Sequence, residues 1–80
     1  MNPIYLPMTR RPLSSVKEGE KVTVREVHGG RGVNKRLSEL GIGVGSTMTV
    51  VQNGGGPVIV SYGDCRMALG KGVSMKILVE

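Results

Sequence analysis

The sequence contains no tryptophan and no phenylalanine, and its only tyrosines are Tyr5 and Tyr62. Two tyrosines cannot line the aromatic groove that grips proline-rich peptides. They are equally too few to stack a run of unpaired bases. A single cysteine, Cys65, excludes an internal disulfide and fits a reducing compartment. Apolar runs are only a few residues long, so no segment reads as a membrane span. Near the N-terminus, Pro3, Pro7 and Pro12 interrupt Ile4, Leu6 and Met8, which denies that stretch the apolar core of a signal peptide. The cytosol is therefore the default compartment, and Val, Ile, Leu and Met must fill the core.

What is present fits a single small domain. Eighty residues support one modest core. Hydrophobic residues make up 39%, too many for a disordered chain. The thirteen glycines gather in clusters between β-branched runs, the pattern of tight connections in a small β fold. Eleven Lys and Arg against six acids leave a net charge of +5. That excess suits nucleic acid, an anionic membrane surface or an acidic protein face, and it also serves solubility.

Read along the chain, residues 1–12 form a flexible proline-rich lead and residues 13–80 form the domain. Leu13-Ser14-Ser15-Val16 makes a short turn in which a serine oxygen can accept from a free backbone amide. Glu20 to Val27 is a half-buried strand, with Val22 and Val24 alternating with Lys21, Thr23 and Arg25. A helix is predicted from about Gly32 to Leu40. Its apolar face is Val33, Leu37 and Leu40, with Lys35, Arg36 and Glu39 pointing elsewhere. On this reading Leu40 is buried between helix and sheet. Gly41 stands where a left-handed cap is wanted, and Ile42 can pack back on the last turn.

Beyond the helix the period returns to two. Met48 and Val50 alternate with threonines through Gln52, Asn53-Gly54-Gly55-Gly56 turns the chain, and Val58 continues as a strand to Tyr62. After Gly63-Asp64, Cys65, Met67 and Leu69 share a face, which makes Cys65 a half-buried strand residue. A turn through Gly70-Lys71-Gly72 leads to a last strand near Lys76 to Val79. Five short strands with one helix after the first predict a mainly β fold, a small antiparallel barrel of SH3-like type.

Chemistry-bearing patterns are scarce. His28-Gly29-Gly30-Arg31-Gly32 opens the helix, but Gly29 to Arg36 lacks the second glycine and the Ser/Thr of a phosphate-binding loop. Turn geometry explains these glycines better. A metal site usually takes three or four ligands, so His28 and Cys65 would need one or two carboxylates brought to them by folding, which no spacing indicates, and His28 reads as a solvated loop residue. The six carboxylates are scattered, and the serines have one candidate base between them. The sequence therefore offers no catalytic residue, no cofactor site and no metal site.

Three segments carry a family resemblance. Arg36-Leu37-Ser38-Glu39-Leu40-Gly41-Ile42 followed by Gly45 is one, Gly55-Gly56-Pro57-Val58-Ile59-Val60 the second, and Met67-Ala68-Leu69-Gly70 the third. In order and spacing they resemble the FeoA family of ferrous iron transport proteins, from Leu13 to Val79. Val44 departs from it, standing where many members carry proline. The resemblance implies an SH3-like barrel, not an enzyme, acting at the inner face of the membrane beside FeoB, a ferrous iron transporter with a GTP-binding domain. Any membrane association would then run through that partner. The expected docking surface is the basic outward side of the helix and its loop: Arg31, Lys35 and Arg36. Two rival readings are a basic barrel on RNA, although no nucleic acid is expected, and a metal-sensing accessory domain like that of iron-dependent repressors.

Overall fold

The computed structural model describes residues 10–80, so most of the proline-rich lead lies outside the described residues. Six strands form one antiparallel sheet in the order β1-β6-β2-β3-β4-β5. They are β1 (Arg11–Pro12), β2 (Lys21–Val27), β3 (Thr47–Gln52), β4 (Val58–Tyr62), β5 (Cys65–Leu69) and β6 (Ile77–Val79). A 3-10 turn spans Leu13–Ser15, helix α1 spans Gly30–Glu39, and a single helical turn, α2, spans Lys71–Ser74.

The sheet folds over on itself, with β1 and β5 as its edges, because β2 serves two partners. Its first half, Lys21 to Thr23, pairs with β3, and its second half, from Val24, pairs with β6. Within the pairing with β6 the register slips between Val24 and Glu26, and such a bulge bends a strand and strengthens its twist. Alternation along each strand then sends one set of side chains inward. Val22 and Val24, Met48 and Val50, Val58 and Val60, and Ile77 and Val79 are all buried. Leu13 and Val16 cover one end of this core, and Leu37 of α1 with Ile42 covers another.

The strand count differs from the predicted five because Arg11 and Pro12 pair with Val79 and Leu78. Proline is tolerated there because β1 lies at the edge of the sheet, where a missing amide costs no ladder bond. In the 3-10 turn the serine works the opposite way to expectation: the Ser15 hydroxyl donates to the Pro12 carbonyl at 2.8 Å. Asn53 does more than turn the chain. Its side-chain amide donates to the carbonyls of Ser14 (2.9 Å) and Val16 (2.8 Å), which ties the 3-10 turn to the β3–β4 connection. Gly70 to Gly72 lies not in a plain turn but at the start of α2, where the buried Ser74 donates to the Lys71 carbonyl.

Helix α1 begins two residues earlier than predicted, at Gly30, and its apolar face is shorter than the periodicity implied. Val33 is half-buried and Leu37 fully buried, but Leu40 is 37% exposed. The placement of Leu40 in the core is therefore corrected. The cause is the way the helix stops. The Gly41 amide donates to Ser38 O and the Ile42 amide to Leu37 O, with Gly41 at φ +80°. That pair of bonds reverses the chain at a left-handed glycine and swings the next apolar residue back onto the last turn. Ile42, 3% exposed, thus takes the core place beside Leu37, and Leu40 is left at the rim.

Gly29 fixes the other end of α1. It has φ +118°, and a Cβ there would lie 2.8 Å from both Val33 Cγ2 and Lys76 Cδ. The lysine stem can move aside, but the stiff, β-branched Val33 is held against the core. Gly29→Ala is expected to destabilise the domain by roughly 2–3 kcal/mol, measured as a shift in the urea midpoint.

Candidate functional site

Among the described residues some of the charged groups are paired within the molecule and others are not. Along β1, β2 and β6, cations and carboxylates meet. Arg11 holds Glu20 at 2.7 Å, Arg25 holds Glu80 at 2.7 Å, and Arg10 reaches both Glu26 and Glu80. His28 is exposed, as expected, and its Nε2 lies 2.9 Å from Glu26 Oε1. Strand pairing produces this concentration, since β6 runs between β1 and β2 and brings the C-terminal Glu80 to their arginines.

Two of these carboxylates are held below the ordinary range. For Glu20 the main cause is the hydrogen bond from Arg11, followed by the Lys17 amide. For Glu26 it is the hydrogen bond from Arg10, followed by that with His28. A carboxyl whose folded pKa is depressed stabilises the fold above its unfolded value and loses that contribution as pH falls through the folded value. Melting temperature is therefore expected to fall as pH is lowered below 4.5, the ordinary carboxyl value. Glu20→Gln should make that acid slope shallower, because one proton-linked group is gone.

The opposite pattern holds around α1. Arg31, Lys35 and Arg36 are all exposed, and none pairs with a carboxylate among the described residues. Arg31 and Lys35 lie four residues apart on one ridge of the helix, with Arg36 on the neighbouring one. The side chain of Lys76 passes over Gly29 at the N-terminal end of the same helix. His28 joins the two, its amide donating to Lys76 O at 2.7 Å. Sequence reasoning missed Lys76, because forty residues separate it from Lys35 and only the fold of β6 against β2 joins them.

Among the described residues no cleft is deep enough to enclose a small molecule. No three His, Cys, Asp or Glu side chains converge as metal ligands there. Cys65 is exposed at the start of β5, not half-buried, because burial along that strand deepens only toward Leu69. No described helix is long and apolar enough to cross a membrane.

A strongly bent six-stranded antiparallel sheet carrying one exposed helix with three cations is what the described residues define. Its solved relatives give the fold a name. A crystal structure of an iron uptake regulatory protein, FeoA, superposes with a TM-score of 0.82 at 33% identity, over 91% of this chain and 97% of that one. Stenotrophomonas maltophilia FeoA with zinc, described as a prokaryotic SH3 domain protein, superposes at 0.74 and 28%, over 86% of this chain and 88% of that one. The fold is SH3-like.

The family follows from sequence. Residues 11–80 match the FeoA domain, so the chain belongs to the FeoA family. It is 45% identical over 69 residues to a Methanocaldococcus jannaschii protein provisionally named Fe(2+) transport protein A, covering 86% of this chain and 84% of that one. The FeoA family is not a family of enzymes, in agreement with the reading of the sequence. Manganese-dependent transcriptional repressors share the fold at a TM-score of 0.82, but at 20% identity and over only 38% of their length. That likeness concerns the fold alone.

Proposed function

We propose that this protein is a cytosolic accessory factor of ferrous iron uptake that docks on the cytosolic domain of a FeoB-type transporter through α1. Membership of the FeoA family supports the pathway, as does the similarity to a relative named for Fe(2+) transport. The observation that carries the docking surface is the clustering of three unpaired cations on one helix. Arg10, Arg11 and Arg25 are neutralised within the molecule, while Arg31, Lys35 and Arg36 stand exposed together on α1 without an acidic partner among the described residues; Lys17, Lys21, Arg66 and Lys71 make no ion pair among them either but are spread over other elements. Unpaired surface cations of this kind steer association with an acidic face more than they tighten the final complex. The protein then reaches the inner face of the membrane through its partner.

Association kinetics with the purified cytosolic domain of such a transporter test the proposal. The association rate should fall as salt rises, because exposed charges are screened beyond about 8 Å at physiological ionic strength. Dissociation should change much less. Absence of binding at low salt would overturn the proposal. Tighter binding to RNA than to the transporter domain, with a steep salt slope, would favour the RNA reading instead.

A further inference from the structure

The large hydrophobic side chains left exposed among the described residues are Leu40, Val44 and Met75. Leu40 is at the C-terminal end of α1, Val44 lies in the loop that follows, and Met75 caps α2 beside Lys76. Leu40 lies on the ridge of Arg36, whose carbonyl accepts the Leu40 amide. Val44 follows four residues on, within about 14 Å even for an extended chain. At the opposite end, Met75 adjoins Lys76, which is bonded through its carbonyl to His28 beside the helix start. A ten-residue helix is about 15 Å long. Leu40 and Val44 toward one end and Met75 toward the other thus flank an exposed helix side carrying Arg31, Lys35 and Arg36, with Lys76 at its start and Glu39 as its one acid.

The loop that presents Val44 is held stiffly. Tyr62 Oη donates to Gly41 O at 2.7 Å, and the Gly43 amide donates to Ser46 Oγ at 3.0 Å. The Ser46 amide closes the turn on Gly43 O, and the Gly45 amide bonds to Val24 O. A valine 69% exposed at the tip of so many hydrogen bonds is fixed in place yet covered by nothing in the monomer. An exposed apolar residue on an ordered backbone gives up little conformational freedom when a partner covers it.

From this we infer that α1 with its two apolar ends is one continuous protein-docking face. Val44, Leu40 and Met75 are its anchors and the four cations its electrostatic guide. The inference rests on the transporter reading above and deepens it. It states the chemistry of the partner surface: an acidic strip about one ten-residue helix long, with an apolar recess at each end. Charge complementarity selects an acidic surface. The apolar brackets select a protein over a nucleic acid, since phosphate contacts need only the cations. Protein interfaces draw most of their energy from a few fully buried anchor residues.

Surface-plasmon kinetics with the transporter's cytosolic domain test this, using wild type, Val44→Asp and Met75→Ser. Both positions are more than half exposed, so neither change should disturb the fold, which circular dichroism and melting temperature check. Each variant is expected to dissociate at least about tenfold faster with little change in association rate, as for loss of one anchor. Lys76→Glu should instead slow association. If wild type binds and both apolar variants dissociate like wild type, the apolar anchors are refuted while the basic docking surface stands. If wild type does not bind the domain at all, the transporter reading fails and this inference with it. If wild type binds mixed-sequence RNA, and Val44→Asp and Met75→Ser bind it equally well, the face is a nucleic-acid surface and the inference is overturned.

Discussion

Leu37→Ala is expected to destabilise the domain by about 2–5 kcal/mol, the range for removing a buried leucine side chain. Leu37 is 1% exposed, on the single face by which α1 meets the sheet, and it packs within the same core as Ile42. Total stability for so small a domain is of the order of 5–15 kcal/mol, so this one change removes a large share of it. Leu40→Ala should cost less than about 1 kcal/mol, since the side chain is already partly in water and leaves no sealed cavity. Urea denaturation of both variants gives the comparison. Equal shifts would show that the helix ends differently from the Gly41 reversal described above.

The second large effect concerns association. Reversing Arg31, Lys35 and Arg36 to Glu changes the net charge from +5 to −1, since three reversals each remove two units. Steering by a charged face raises association rates by roughly ten- to a thousandfold, so reversal should lower the rate for the transporter domain at least tenfold. The fold should survive, because all three side chains are exposed and outside the internal ion pairs. In cells the same variant is expected to lower ferrous iron uptake at unchanged transporter abundance. Wild-type uptake by the triple variant would place the docking surface elsewhere, with the exposed edge strand β5 next in line.

The contrast between Leu37 and Leu40 shows how far periodicity reaches. Val33, Leu37 and Leu40 have equivalent helical spacing, so the pattern alone cannot rank them. The ranking comes from Gly41, which ends the helix and delivers Ile42 to the core. Both residues were visible in the sequence, and the left-handed cap was read from them. The missing step was that a residue brought back by the cap displaces the last residue of the apolar stripe.

Long strands were legible for a related reason. Val22 and Val24, Met48 and Val50, and Val58 to Val60 alternate or run apolar in ways that few other elements do. The two-residue β1 has no such pattern, and it exists only because β6 lies beside it. Cys65 alternates correctly with Met67 and Leu69 but sits where β5 enters from a turn, so alternation set its face and not its depth. The basic site divides in the same way. Arg31, Lys35 and Arg36 share one helix and could be read locally. Lys76, Val44 and Met75 join them only through the pairing of β6 with β2 and the folding of the Gly41–Ser46 loop.

Co-purification from membranes of the source organism tests the central claim most directly. Tagged wild-type protein, captured after mild detergent extraction at low salt, should bring down a FeoB-type transporter identified by mass spectrometry. The variant with Arg31, Lys35 and Arg36 reversed to Glu should bring down little or none. Recovery of the transporter in equal amounts with both proteins, or with neither, would contradict docking through α1.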